Sequence, residues 1–243
     1  MRRAPIAFVV SLAALVPLHA AQRAIVIVPV TDVWNAPAAS SAALTDEHRA
    51  TQLLFGEEVV VHESSGSWAR IEILDQPAFR YAARWEGYPG WVRQSALVIH
   101  TAPRGSRAAI LDVARALRGT PYLWGGLSAQ GADCSGLVHL AYRVNGFRIP
   151  RDSDEQWMKA TPLQRRQLKP ADLIFSAKPS DPKKITHVAL YAGGGRMIEA
   201  PQAGIAVREI SFKEKFGKDL PDVEAGETVG DHVIYFGRLI QGP

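Results

Sequence analysis

The hydrophobic period of this 243-residue chain changes near residue 100, and that change limits the folds open to it. Before it, apolar residues come in short β-branched or aromatic runs: Ala24-Ile-Val-Ile-Val28, Glu58-Val-Val-Val-His62, Trp68-Ala-Arg-Ile-Glu-Ile73 and Gly90-Trp-Val92. Gly, Pro, Ser and Asp separate them, and the third run alternates as a strand does. Several short strands within ~75 residues point to a small antiparallel barrel. Residues 98–105, with Pro103 and Gly105, read as a linker. Ser106 then N-caps an amphipathic helix with Ile110, Leu111, Val113, Ala114 and Leu117 on one stripe. Gly119 ends that helix. A second starts at Cys134 and closes at Asn145-Gly146. A third opens in Ile149-Pro-Arg-Asp-Ser-Asp-Glu-Gln-Trp157, capped by Asp152 or Ser153. Strand patterns return at residues 172–175, 187–191, 196–200 and 232–236, with Gly193-Gly-Gly195 as a hairpin turn. Helices first and an antiparallel sheet second make an α+β unit.

Residues 1–21 read as a secretory signal. Arg2 and Arg3 precede an apolar run, Leu18-His-Ala-Ala21 offers small residues for cleavage, and the run is too short to span a bilayer. No cysteine follows it to carry a lipid, so the expectation is a secreted protein, periplasmic or extracellular, without a membrane anchor. Losing Arg2 and Arg3 takes the formal charge from +4 to about +2. That charge is too small, and basic-aromatic stripes too few, for a nucleic-acid binder. The remaining ~220 residues suffice for two small domains or one medium one.

Cys134 is the one cysteine of the chain, so no internal disulfide holds the fold and the cores must do so. The stretch Gly131-Ala-Asp-Cys-Ser-Gly-Leu-Val-His139 places the thiol on the first turn of a helix. There, unpaired N–H groups and the helix dipole favour a thiolate. A free thiol in an oxidising compartment is a liability unless it has a use. A small buried hydrophobe is the other reading of the same residue.

A nucleophilic thiol needs an imidazole, and the imidazole needs an orienting group. Of the seven histidines, His19 falls in the signal, His48 and His62 in the barrel, and His100 in the linker. His139 lies about 140° around the helix from Cys134 and faces away. His187 opens the alternating run Thr186-His-Val-Ala-Leu-Tyr191, and the next strand offers Glu199 to accept a bond from Nδ1. His232 has no comparable partner. One cysteine, no His-x-x-x-His pair and no acidic cluster leave no metal site to expect, and no cofactor.

With these residues placed, the second unit resembles the NlpC-type cell-wall cysteine peptidases. The match rests on Asp133-Cys-Ser-Gly136, Asp172-Leu-Ile-Phe175 and His187-Val-Ala-Leu-Tyr-Ala-Gly193, in the family's order. The first unit resembles bacterial SH3-like domains through Gln52-Leu-Leu-Phe-Gly-Glu57, Gly66-Ser-Trp68 and Tyr88-Pro-Gly-Trp-Val92, with residues 75–86 as an insertion between strands. The joined resemblance is to the YkfC-type γ-D-glutamyl-L-diamino-acid endopeptidases. It implies a papain-like catalytic domain at residues 103–243, preceded by an SH3-like barrel and linker at 22–102.

That resemblance implies cleavage of the γ-D-Glu–diamino-acid bond of murein peptides through a thioacyl-enzyme, by a chain expected to be monomeric. Cys134 is then the nucleophile and His187 the base. Tyr122, with the Cys134 N–H, serves the oxyanion, and Glu199 is the third member, where the family usually has histidine or a neutral polar residue. Asp133 and Ser135, with Glu57 and Tyr88 from the barrel, would hold a free L-Ala amine. Trp124 would line the cleft, and Asp152 and Ser153 would meet the diamino acid. Two alternatives share these residues: a hydrolase of polymeric stem peptides, and an inactive wall-binding module.

Overall fold

The computed structural model describes residues 21–38, 44–45, 48–80, 84–99 and 105–240. Residues 1–20 of the expected signal, His19 among them, and His100 lie outside the described residues. The first strands are β1 (Gln22–Val26), β2 (Val30–Trp34), β3 (Arg49–Leu54), β4 (Glu58–Ser65), β5 (Trp68–Arg80), β6 (Arg84–Arg93) and β7 (Leu97–Ile99). They form one antiparallel sheet in the order β3-β2-β6-β5-β4-β1-β7. Period-two alternation sends Val59, Val61, Ile71 and Ile73 into its core beside Val33, Leu53 and Val92. Of the expected insertion at 75–86, the described residues 75–80 and 84–86 are strand. Backbone pairing carries β5 and β6 onward as a hairpin, past a register shift between Ile73 and Pro77.

The second half begins with α1 (Arg107–Ala116), which Ser106 caps by accepting the Ala109 N–H at 3.1 Å. A small hairpin, β8 (Leu127–Ser128) and β9 (Gly131–Ala132), leads into α2 (Cys134–Val144), and α3 (Ser153–Lys159) follows. Next come β10 (Thr161–Leu163), β11 (Leu173–Lys178), β12 (Asp181–Gly193), β13 (Arg196–Glu199) and β14 (Arg208–Ser211). The chain ends with α4 (Phe212–Phe216), β15 (Thr228–Val229) and β16 (His232–Arg238). The second sheet runs β10-β16-β11-β12-β13-β14, with β15 on β16. Helices and sheets are thus mixed, with strands predominating. Leu137, Val138, Leu140 and Ala141 of α2 pack on Phe175, Val188 and Leu190, each leucine contributing about 2 kcal/mol.

Both sheets meet at the end of α2. Ile25 belongs to the second core, with Phe55 and Val98 packed against it. A Cβ on Gly56 would lie 3.1 Å from Val144 Cγ2. Among the described residues, no helix is long and apolar enough to cross a membrane.

A buried ion cluster ties α1 to the sheet. Asp172, fully buried, accepts Arg107 Nη1 at 2.8 Å, Arg238 Nε at 2.8 Å, Arg238 Nη2 at 2.7 Å and the Lys169 N–H at 2.8 Å. Burial pushes its carboxyl up, but the arginine contacts and the Lys169 N–H outweigh burial and leave it below the ordinary carboxylate range. Asp172→Ala removes the carboxylate that Arg107 and Arg238 share and should lower stability by about 3–5 kcal/mol in urea titration, the cost of breaking a buried ion pair. An unchanged midpoint would show that the cluster does not hold α1.

Candidate active site

The site is built on the first turn of α2. Asp133 has extended backbone and N-caps the helix, its Oδ1 accepting the Gly136 N–H at 2.7 Å. Cys134 is therefore the first helical residue, with its own N–H among those lacking an intrahelical acceptor. Gly136 has a steric reason. A Cβ there would collide with the Gly126 carbonyl oxygen and sit 2.9 Å from Asp133 Oδ1.

Cys134 lies at the bottom of the cleft, 9% exposed. Burial pushes its thiol up. The hydrogen bond and charge of His187, with the Val188 N–H, push harder the other way, so the net shift is downward. For His187 the signs reverse: burial lowers it, while Cys134 and Glu199 raise it above the ordinary imidazole range. Both directions favour a thiolate beside an imidazolium.

Sheet register supplies the third member. β12 and β13 pair with Leu190 opposite Ile198, so Glu199 stands diagonal to His187 on the same face. Its Oε2 meets His187 Nε2 at 2.9 Å. The contact is through Nε2 rather than the expected Nδ1. A ring held at Nε2 has Nδ1 left for the thiol. The outlying histidines are engaged elsewhere: His139 Nδ1 at the Pro150 carbonyl, 3.3 Å, and His232 edge-on against Phe216.

Around Cys134 opens a cleft of about 480 Å³. Tyr122, Trp124, Asp133, Ser135, Asp152 and Ser153 line it, as do Asp154, Lys184 and Thr186, which the sequence did not single out. Burial, then the Cys134 and Asp133 charges, raise the Tyr122 phenol, so it remains an O–H donor at neutral pH. Trp124 is 85% exposed and forms a rim rather than a wall. Asp152 caps α3 by position without a side-chain bond.

The candidate residues of the first sheet are placed differently from expectation. Glu57 Oε2 accepts the Leu54 N–H at 2.6 Å, and Tyr88 Oη donates to the Ala50 carbonyl at 3.3 Å. Both act within the first sheet, and neither lines the cleft among the described residues.

Asp133 and Ser135 do lie in the cleft but are gripped by Arg151, which sequence reasoning missed. Its guanidinium reaches Asp133 Oδ1 at 3.0 Å and Oδ2 at 2.8 Å, Ser135 Oγ at 2.9 Å and the Gly126 carbonyl at 3.2 Å. Gln156, buried on α3, fixes the arginine's segment by donating to the Ser135 and Pro150 carbonyls, each at 3.1 Å. The overlooked signal was Arg151 itself, immediately before the helix cap.

Residues 119–219 match the NlpC/P60 family, a span that holds Cys134, His187 and Glu199. This part of the chain is an NlpC/P60 domain. Relatives extend the likeness beyond the domain. A γ-D-glutamyl-L-lysine dipeptidyl-peptidase of Bacillus subtilis is 27% identical over 234 residues, covering 70% of this chain and 78% of the relative. The murein DD-endopeptidase MepH of Escherichia coli is 38% identical over 102 residues, 40% of this chain and 37% of its own. A solved NlpC/P60 family protein of Bacillus cereus aligns with 90% of this chain and 100% of its own, at 21% identity and a TM-score of 0.49.

Proposed function

We propose that this chain is a cysteine endopeptidase of murein peptides, cutting between γ-D-Glu and the diamino acid. The observation that carries the reading is the Cys134–His187–Glu199 arrangement at the base of an open cleft inside an NlpC/P60 domain. The thiolate adds to the γ-carbonyl carbon, and the developing oxyanion takes the Cys134 N–H and the Tyr122 O–H. The His187 imidazolium then gives its proton to the leaving amine as the C–N bond breaks, which leaves a thioester on Cys134. Water, deprotonated by His187, attacks that thioester and frees the γ-D-Glu carboxylate. Glu199 holds the ring in the required tautomer.

The γ-D-glutamyl-L-lysine dipeptidyl-peptidase relatives support a substrate with a free amino end, which in this reading is the L-Ala amine. In this reading the first sheet is an SH3-like module at 22–102 joined to a papain-like unit at 103–243, and the protein works outside the cytoplasmic membrane. A second reading, a hydrolase of wall-linked stem peptides, draws on one observation: the described cleft lining comes wholly from the second half. Asp133 is also already matched by Arg151. Mass spectrometry of products from free and disaccharide-linked tetrapeptide decides between them. The free-amine reading expects L-Ala-γ-D-Glu from the free peptide and at least about tenfold slower cutting of the linked one, since a lost buried amine contact removes about 1.4 kcal/mol or more. Equal rates would establish the second reading.

A further inference from the structure

The sheet edge behind His187 carries more charge than anchoring an imidazole requires. Glu199 is fully buried, and its Oε1 takes Arg208 Nη2 at 2.8 Å and Nε at 3.1 Å. Its Oε2, already on His187, also takes Lys215 Nζ at 2.6 Å. Arg208 arrives as the direct cross-strand partner of Glu199 on β14. Lys215 arrives on α4, which Phe212 and Phe216 fix by burial in the second half's other core. The Lys215 side chain is only 16% exposed, so its ammonium is held there rather than tethered loosely. One carboxylate alone orients an imidazole, while desolvating a lysine as well carries a cost that a purely structural contact seldom repays.

We propose that Lys215 and Arg208 are positioning residues that offset the charge of Glu199, so that His187 meets a hydrogen-bond acceptor whose negative charge is already compensated. A bare buried carboxylate would bind the imidazolium strongly and make it a weak acid toward the leaving amine. With both cations in place, the third position keeps the geometry of a carboxylate while its pull on the imidazolium is offset. The other charged groups that act on His187 are Cys134 from α2 and His232, the first residue of β16, which Lys215 and the preceding Asp231 also act on. The ammonium of Lys215 opposes the charge of His187, in the sense the proposal requires.

The proposal rests on the peptidase reading only for what the acidity of His187 serves. The test is therefore the pH dependence of Cys134 alkylation by iodoacetamide, which needs no substrate, run beside kcat/KM on L-Ala-γ-D-Glu-diaminopimelate. Lys215→Met should move the upper step, where His187 loses its proton, upward by at least about one pH unit. The lower step, where the thiolate forms, should move less. Lys215→Arg should retain the wild-type profile. Glu199→Gln added to Lys215→Met should bring the upper step back down. Arg208→Met, at a more exposed position, should shift the step in the same direction as Lys215→Met and serves if the latter does not fold. His232→Gln, in each background, assigns the step to His187. An upper step within about 0.2 unit of wild type in folded Lys215→Met or Arg208→Met, or no return in the double variant, overturns the proposal. Shifted alkylation without peptide cleavage would instead remove the peptidase reading and leave this one standing.

Discussion

Cys134→Ala is expected to abolish peptide cleavage, lowering kcat/KM by about 10⁴-fold or more, while the chain stays folded. The thiol is unique in the sequence, so no second one substitutes for it. The side chain fills little of the core, and alanine at the first helical position keeps the Asp133 cap intact. Circular dichroism and a thermal melt check the fold, and product mass spectrometry checks the activity. Residual cleavage above a few per cent would remove Cys134 from the chemistry. The pH dependence of the parent chain follows from the same geometry. The folded site holds the thiol below its ordinary range and the imidazole above its own. Activity should therefore persist at pH values where a free thiol is protonated. It should fall on the acid side as the pair's lower apparent pKa is crossed, and on the alkaline side as the imidazolium loses its proton.

Arg151→Ala should act on both the stability of the chain and the titration of Cys134. It leaves the Asp133 carboxylate, 7% exposed, with the N–H groups of Gly125 and Gly136 but no opposite charge. Loss of a fully buried partner costs about 3–5 kcal/mol. With 27% of the Arg151 side chain exposed, solvent reduces the expected loss to about 2 kcal/mol, or roughly 4–8 °C in Tm. The chemical effect is distinct from the stability effect. The Asp133 charge pushes the Cys134 thiol up, and Arg151 no longer offsets it. The acid limb of both alkylation and kcat/KM should move to higher pH. Arg151→Lys keeps the charge but not the two-pronged grip, and should recover the limb more fully than the melting temperature. If Arg151→Ala leaves both the limb and Tm unchanged, the grip on Asp133 is incidental.

What was legible in the sequence is local. Asp133-Cys-Ser-Gly136 announces a capped helix start because an N-cap is settled within one turn, by a carboxylate and an N–H three residues on. The alternation of residues 186–191 places His187 on one face because the strand period is two. Residues 196–199 bring Glu199 within reach because a hairpin fixes its own register. One local signal was passed over: Ser211 and Glu214 form a capping box, which marks α4 and with it the position of Lys215.

Only the tertiary structure decided the rest. Arg151 reaches Asp133 across 18 residues, and Lys215 reaches Glu199 across 16. No periodicity reports which separate elements pack together, so neither ion pair has a signature along the chain. The same limit explains Glu57 and Tyr88. Motif resemblance assigned them to the substrate, yet their bonds to Leu54 and Ala50 depend on how strands of the first sheet lie. It also explains why the imidazole meets Glu199 through Nε2, since the angle between a helix end and a sheet selects the nitrogen. The sequence by itself determined a thiol at a helix start, with a histidine and a carboxylate on neighbouring strands. Packing decided which charges surround them, because ion pairs form between surfaces that only the folded chain brings together.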